Sequence, residues 1–273
     1  MTETVIHADQ LTLRRDHTDV LHNISFDIPA GAVVGLVGRN GAGKSTLLQC
    51  LAGLVAPDGG ASALLGCPSL DLSDSVRERL GYVAQTPDLF EWMTVLEHLQ
   101  TIGRAYPRWN EDRCLTLALR LDLPLSTRVR DLSGGDQQKL SVVLALAHDP
   151  DVMLFDEPVA SLDPLTRREF MRAIFTGEQE RERTVIISSH ILSDLERVVS
   201  HVAFIREGRL QLLDSWDAML EHYRLAPPAC EAPAGAVVWR GRASALIDTR
   251  RAPALADASR ALTLDELFVE LNA

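Results

Sequence analysis

The amino-acid sequence predicts an α/β fold built around a parallel sheet. Two observations support this class: short apolar runs typical of buried strands alternate with segments whose apolar residues recur at helical spacing. The alternation is clearest between Val152 and Arg206, where three strands and two helices are expected in turn. Strands connected through helices form parallel sheets with crossover connections. A chain of 273 residues is long enough for one large domain with an appendage, or for two modest domains.

The N-terminal part predicts an antiparallel sheet, then a buried strand and a helix. Residues 5–14 and 21–28 have the pattern of antiparallel strands, with a turn at residues 29–31. Residues 32–37 form a continuous apolar run, which suits a buried parallel strand. A helix is expected from Lys44 to about Leu54, because the Pro-Asp-Gly-Gly segment that follows is a turn signal.

The middle of the chain predicts an inserted helical subdomain at about residues 88–150. Apolar residues recur there at helical spacing in segments 93–106, 111–121 and 134–147. The elements expected after it are strand 152–155, helix 167–180, strand 184–189, helix 191–199 and strand 202–206. The return of strands after three helices indicates that the helical segment interrupts the parallel sheet.

The C-terminal part predicts a small extension. Beyond Leu225 the composition shifts to alanine and proline, as expected of a linker. Residues 236–240 and 245–249 can form a hairpin, and residues 263–271 a final helix. We therefore divide the chain into a main domain at 1–225 and an extension at 226–273.

Composition and charge limit the possible functions. The net charge of -11 disfavours a nucleic-acid-binding surface, so no nucleic-acid partner is expected. The four cysteines are far apart in sequence, which disfavours a disulfide framework or a zinc site and suits a reducing cytosol. The sequence shows neither the pattern of a signal peptide nor an apolar run of membrane-spanning length. A function at a membrane would therefore require a separate transmembrane protein.

A phosphate-binding loop follows the first buried strand. Residues 38–45 match the pattern G-x-x-x-x-G-K-[ST], in which backbone N–H groups turn onto phosphate oxygens at a helix N-terminus. Lys44 is expected to reach the β- and γ-phosphates of ATP, and the Ser45 hydroxyl to hold Mg²⁺. The residues that we assign to ATP here are Gly38, Arg39, Asn40, Gly41, Ala42, Gly43, Lys44, Ser45 and Thr46.

Two carboxylates end the apolar strand at residues 152–155. Asp156 is expected to help hold the magnesium, and Glu157 to polarise the attacking water. An acidic turn at the end of a strand would show the same local pattern. The phosphate loop and the Leu-Ser-Gly-Gly-Asp segment at residues 132–136 favour the catalytic interpretation.

Six motifs, in this order, resemble those of the ABC-family nucleotide-binding domain. They are the phosphate loop (38–45), a Q-loop residue (Gln85), the signature (132–136), the acidic strand end (Asp156 and Glu157), a D-loop (161–163) and a switch histidine (His190). The resemblance covers about residues 4–215. It implies a P-loop NTPase fold with a RecA-like core, an N-terminal antiparallel β-subdomain and an inserted α-helical subdomain, to which this chain adds its small C-terminal extension.

The resemblance also implies a site shared by two chains. In the family, two such domains sandwich two ATP molecules head to tail, with the phosphate loop of one facing the signature of the other. Ser133 and Gly135 would then act on the γ-phosphate bound to the partner. Gln85 would bridge magnesium to the helical subdomain, and His190 would contact the γ-phosphate and position water. The signature residues assigned to the partner's nucleotide are Ser133, Gly134, Gly135 and Asp136.

Three residues depart from the family pattern. The adenine-stacking position, often Tyr, falls near residues 14–17, where Arg15 could stack its guanidinium group or simply face solvent. Phe155 stands where Leu is frequent. Asp136 replaces the usual Gln; it fits the capping-box pattern S-x-x-[DE], yet its negative charge would oppose attraction of the partner's γ-phosphate.

The predicted function is that of an ATP-hydrolysing ABC transporter subunit that powers a separate transmembrane permease through ATP-driven dimerisation. The second nucleotide-binding domain would be an identical or a related chain. The protein would lie at the cytoplasmic face of the membrane. Segment 262–268 resembles the terminal helix common on motors of ABC-2-type exporters, although any amphipathic helix would look similar. Phe90, Trp92 and Met93 are candidates either for permease docking or for the subdomain core.

Two alternatives remain open at this stage. One is a soluble ABC ATPase of DNA repair or translation, but a single phosphate loop without a coiled-coil insertion favours transport. The other is a regulatory module that binds ATP without turnover, against which Glu157 and His190 together argue.

Overall fold

The computed structural model describes residues 3–270 except 161, 163, 176–182, 191–194, 234, 242–243, 257, 262–265 and 268–269. The strands are β1 (Thr4–Arg15), β2 (Thr18–Pro29), β3 (Val33–Val37), β4 (Gly59–Leu64), β5 (Cys67–Pro68), β6 (Leu80–Val83), β7 (Val152–Phe155), β8 (Thr184–Ser189), β9 (His201–Arg206), β10 (Arg209–Ser215), β11 (Tyr223–Ala226), β12 (Val237–Arg240), β13 (Ala245–Asp248) and β14 (Arg260–Ala261). The helices are α1 (Lys44–Leu51), α2 (Asp74–Arg77), α3 (Val95–Gly103), α4 (Glu111–Arg120), α5 (Gly134–Ala147), α6 (Pro164–Phe175) and α7 (Trp216–His222), with short 3-10 helices at Ser69–Asp71, Val129–Asp131 and Pro253–Leu255.

The central sheet has the strand order β10-β9-β3-β8-β7-β6. Its pairs are parallel except β9 with β10, which are antiparallel. Strands β7 and β8 are buried along their whole length, as expected of parallel strands covered on both faces. Because β3, β8 and β7 are neighbours, the segments that follow their carboxyl ends meet at one edge of the sheet. These segments are the phosphate loop, His190 and the two carboxylates.

Alternate residues of the central strands enter two different cores. Leu36, Leu154 and Ile186 pack with α1 and with the antiparallel sheet β2-β1-β4-β5. Phe155 and Ile187 pack on the opposite face, against the helical subdomain and α6. This alternation follows from the two-residue repeat of a strand. The predicted α/β class, antiparallel N-terminal sheet and helical insertion are confirmed.

The helical subdomain is formed by α3, α4 and α5. The predicted helix 93–106 is shorter in the structure, because Thr94 caps α3 in a capping box with Glu97 and the helix ends at Gly103. Asn110 caps α4 by accepting the backbone N–H of Arg113 at 2.9 Å. Helix α5 has the predicted bounds, and its buried residues make it the centre of the subdomain.

The C-terminal sheet begins earlier than the predicted extension. The predicted hairpin is present as β12 and β13, but β11 also pairs with β13, in the order β12-β13-β11-β14. The boundary after residue 225 therefore falls inside a strand, since Ala226 pairs with Ala245. The side chains of Tyr223 and Leu225 are buried in the main core, so the first strand of the extension packs on the main domain. The linker prediction was wrong at this point because β11 directly precedes the Pro-Pro pair.

Several predicted segments lie partly outside the described residues. The predicted helix 167–180 is observed as α6, which begins three residues earlier, and residues 176–182 are not described. Of the predicted helix 191–199, residues 195–198 form a turn and residues 191–194 are not described. Ser161 and Asp163 of the D-loop, and most of the predicted terminal helix 263–271, also lie outside the described part of the chain. The elements that the sequence did not predict are β4, β5, β6, β10, β11, β14, α2 and α7.

Candidate functional site

The loop after β3 needs glycine at two positions for different reasons. Gly43 precedes α1 with φ 103°, in the left-handed region that favours glycine. Gly38 has no room for a side chain, because a Cβ atom there would lie 2.3 Å from the carbonyl oxygen of Ile205. The loop thus runs close to β9 before it enters α1.

Lys44 is buried at the first position of α1. Its Nζ donates to the carbonyl oxygens of Gly38, at 2.8 Å, and Arg39, at 3.2 Å. The same ammonium group lies 3.1 Å from Oε1 of Glu157, and both side chains are about 95% buried, with exposures of 5% and 6%. The phosphate loop and the acidic strand end are therefore in direct contact.

Asp156 and Glu157 lie at the end of β7 in different environments. The Ser188 hydroxyl donates to Oδ1 of Asp156 at 2.8 Å, and the backbone N–H of Glu157 donates to the same hydroxyl oxygen at 2.8 Å. Burial raises the pKa of Asp156, although side-chain hydrogen bonds from Ser45 and Ser188 act in the opposite direction. Glu157 has a φ of 46°, which is uncommon for a residue with a side chain.

His190 completes a contact chain with Glu157 and Lys44. Its Nδ1 lies 2.6 Å from Oε2 of Glu157, whose other oxygen faces Lys44. The histidine side chain is 40% exposed, while the glutamate is buried. The carboxylate is thus held between two groups that come from different strand ends.

An open cleft of about 280 Å³ adjoins these residues. Gln85 lies at this cleft, on the segment after β6. The buried side chain of Gln138, on α5, donates to the carbonyl oxygen of Ala84 at 3.3 Å and so links this segment to the helical subdomain. The described residues that line the cleft are Val20, Asn40, Gly41, Gly43, Lys44, Ser45, Thr46, Gln85 and Glu157.

The signature residues form a separate site at the start of α5. Ser133 is the N-cap and accepts the backbone N–H of Asp136 at 3.1 Å. The Ser133 hydroxyl donates to Oδ2 of Asp136 at 2.7 Å, and Lys139 lies 3.1 Å from the other carboxylate oxygen. The pattern predicted a capping box, in which the carboxylate would accept the Ser133 backbone N–H. Instead, the carboxylate binds the Ser133 hydroxyl and Lys139.

Arg15 lies at the end of β1, outside the cleft. Its Nη2 donates to Oε1 of Gln49, on α1, at 3.0 Å, and the side chain is exposed. It is not among the described residues that line the cleft. Adenine stacking by Arg15 remains a prediction.

No role at the site was predicted for Ser188, which contacts both carboxylate residues, or for Gln138, which contacts the segment that carries Gln85. Each is a polar side chain that is almost completely buried, with exposures of 0% and 3%. A polar residue in an otherwise apolar strand or helix face was the available signal, because buried polar groups normally have a partner.

A family model described as "ABC transporter" matches residues 21–160, which is more than half of the chain. The chain belongs to the ABC transporter family.

Curated relatives of this ABC protein have names that refer to transport. The Nod factor export ATP-binding protein I of Paraburkholderia xenovorans (strain LB400) is 34% identical over 218 residues, 77% of this chain and 70% of the relative. The bacitracin transport ATP-binding protein BcrA of Bacillus licheniformis is 31% identical over 209 residues, 76% of this chain and 68% of the relative.

Solved structures agree with the fold of this ABC ATPase. An ATP-binding subunit of an ABC transporter superposes with a TM-score of 0.74 at 28% identity, covering 98% of this chain and 99% of the other. The C-terminal sheet is therefore part of the superposed region. A dimeric post-hydrolysis structure of an ATP-binding cassette with ADP and Pi has a TM-score of 0.69 at 23% identity. The match covers 77% of this chain and 98% of the other, and it supports the fold.

Membership of the family makes this chain an ATP-binding protein and an ATPase. Membership of the family also implies dimerisation and a transmembrane partner. None of the helices in the described part of the chain combines the length and the apolar character needed to cross a membrane.

The residues at the cleft of the ABC ATPase also fit a magnesium ion. Mg²⁺ prefers oxygen ligands and is commonly held by one or two protein groups together with substrate phosphates. The Ser45 hydroxyl lies close enough to Asp156 to act against the rise in the pKa of that carboxyl group, and Gln85 adds an amide at the same cleft. Among the described residues, no three or more His, Cys, Asp or Glu side chains are grouped so that they could hold a metal ion, and a magnesium ion bridged by phosphates does not need such a group.

Proposed function

We propose that this chain is the motor subunit of an ABC exporter, which hydrolyses Mg-ATP and drives a separate transmembrane permease. One observation carries the proposal: the Glu157 carboxylate is buried beside the phosphate loop and contacts both Lys44 and His190. A carboxylate in this position can take a proton from water that attacks the terminal phosphate. The named relatives are transport subunits, and neither of the open alternatives has comparable support.

The proposed roles follow from the chemistry of each side chain. Lys44 and the backbone N–H groups of the loop would hold the β- and γ-phosphates. Ser45, Asp156 and Gln85 would hold magnesium, which when bound neutralises charge on the phosphates. Glu157 would polarise the attacking water, and His190 would orient Glu157 and the γ-phosphate.

The signature is proposed to act on the nucleotide of a partner subunit. The described residues that line the cleft include none from residues 133–136, so the cleft of one chain has no signature contact of its own. The start of α5 presents backbone N–H groups and the positive end of the helix, which suit an anion. The partner would be an identical or a related chain.

The permease is proposed to dock near Gln85, at the inner face of the membrane. Phe90 and Trp92 are 39% and 67% exposed, with ring centroids 5.1 Å apart. Exposed aromatic pairs of this kind are common at the centres of protein interfaces. The export direction is proposed from the relatives' names alone, since residues 262–265 and 268 of the exporter-like tail segment are not described.

The test replaces Glu157 with glutamine, which keeps the size and removes the charge. We expect Glu157→Gln to bind ATP while its turnover falls by about a hundredfold or more, and to accumulate as an ATP-bound dimer. Glu221→Gln is the matched control, because Glu221 lies on α7 with a side chain that is 73% exposed. Steady-state hydrolysis at the wild-type rate in Glu157→Gln would contradict the assignment.

A further inference from the structure

The hydroxyl of Ser188 connects the two carboxylate residues of the site from the neighbouring strand. Ser188 lies near the end of β8 and is completely buried. Its Oγ donates to Oδ1 of Asp156 and accepts the backbone N–H of Glu157, both at 2.8 Å. A single hydroxyl therefore donates to one and accepts from the other of two consecutive residues that directly follow β7.

The backbone at Glu157 explains why this hydroxyl is needed. The parallel ladder between β7 and β8 ends at the pair Phe155 and Ile187, so Glu157 lies beyond it. The φ of 46° at Glu157 then turns the chain out of the strand conformation. A left-handed residue with a side chain is held only where its surroundings stabilise it. The Ser188 hydroxyl supplies the acceptor for the displaced N–H at this turn.

The same hydroxyl restricts the Asp156 side chain. The Asp156 carboxylate also lies near Ser45, the first residue after Lys44. Hydroxyl groups from the phosphate loop and from β8 therefore flank this carboxylate. The Ser188 hydrogen bond limits rotation of the carboxylate, because a rotation would break a buried hydrogen bond.

We propose that Ser188 is a positioning residue for ATP hydrolysis, which holds Asp156 toward the phosphate loop and holds the Glu157 backbone so that its carboxylate faces Lys44 and His190. This inference rests on the proposed roles of Asp156 and Glu157. The position requires a group that both donates and accepts a hydrogen bond. Serine and threonine satisfy that requirement, whereas alanine and valine do not.

The test compares Ser188→Ala with Ser188→Thr. Ser188→Ala is expected to lower kcat by about tenfold to a hundredfold, because it displaces a catalytic group. The KM for ATP is expected to stay within about twofold of the wild-type value. Ser188→Thr keeps the hydroxyl and is expected to recover a kcat within about threefold of wild type. Ser62→Ala is the matched control, because the hydroxyl of Ser62 is also buried and donates to the Cys50 carbonyl at 3.2 Å, and neither residue is among the described residues that line the cleft.

A second measurement distinguishes a positioning role of Ser188 from a loss of folding stability. In the Glu157→Gln background, adding Ser188→Ala should lower the residual rate by less than twofold, because residues that act as a unit are not additive. Equal loss of kcat in Ser188→Ala and Ser62→Ala at equal loss of melting temperature would show a purely structural role. An unchanged kcat in Ser188→Ala would also overturn the proposal. If Glu157→Gln itself keeps full turnover, the proposed role of Glu157 is wrong, whatever the result for Ser188→Ala. Failure of the proposed function is therefore distinguishable from failure of the Ser188 inference.

Discussion

Asp136 places a negative charge at the part of the chain that is proposed to attract the partner's γ-phosphate. Its carboxylate accepts the Ser133 hydroxyl and pairs with Lys139, in the first turn of α5. The Ser133 hydroxyl is thus occupied within its own chain. Replacing Asp136 with glutamine removes the charge and leaves the Lys139 charge uncompensated. The N-cap bond persists, because Ser133 accepts the backbone N–H of residue 136 rather than its side chain.

The expected gain in dimer stability for Asp136→Gln can be worked out from the charge of the Asp136 carboxylate and the charge of the partner's phosphate. One unit of charge at about 8 Å from a phosphate, with an effective dielectric constant of about 20, corresponds to about 2 kcal/mol. Solvent screening is expected to reduce this to about 1 kcal/mol for each site. A dimer with two sites would gain about 2 kcal/mol, which makes its Kd about 30-fold lower. In the free chain, loss of the carboxylate from the helix N-terminus costs about 0.3–1 kcal/mol.

Dimerisation is best measured by sedimentation velocity at saturating ATP in the Glu157→Gln background, so that hydrolysis does not affect the equilibrium. Asp136→Gln should tighten the dimer, and Lys139→Gln should weaken it, because the carboxylate then loses its neutralising partner. Asp136→Ala should lower the melting temperature more than Asp136→Gln does. Weaker dimerisation in Asp136→Gln would mean that the carboxylate makes a favourable contact with the partner's nucleotide, and the electrostatic reasoning would be refuted.

Two further predictions concern the shared site and the extension. If hydrolysis occurs between two chains, the rate per chain should rise with protein concentration, and mixing Lys44→Ala with Ser133→Arg chains should recover part of the activity. A rate per chain independent of concentration, with no dimer at any ATP level, would rule out the shared site. A chain that ends at Leu225 should still bind ATP at low temperature, because all the nucleotide motifs lie upstream. It should nevertheless melt at a lower temperature than the full chain, because β11 loses its pairing with β13, and Asp214 and Tyr223 lose their contacts with Arg250; an unchanged melting temperature would contradict this packing.

The sequence alone was sufficient for the fold class, and it predicts the nucleotide motifs. The phosphate loop, the acidic strand end and the buried strands are contiguous patterns, and local patterns are what a sequence displays directly. Helix α5 has the predicted bounds for the same reason, since Ser133 provides a clear N-cap.

Tertiary contacts decided what the local patterns could not. The predicted linker begins at Ala226, which is the last residue of strand β11. The sequence does not reveal this strand, because its stability comes from pairing with β13 about twenty residues later. The capping-box pattern at Asp136 does not reveal that the carboxylate binds the Ser133 hydroxyl and Lys139 instead. Ser188 has no recognisable motif, and its contacts with Asp156 and Glu157 exist only because β8 is the neighbour of β7 in the sheet. Strand order is set by how the whole core packs, so a hydrogen bond between residues that are distant in sequence is decided by the tertiary structure.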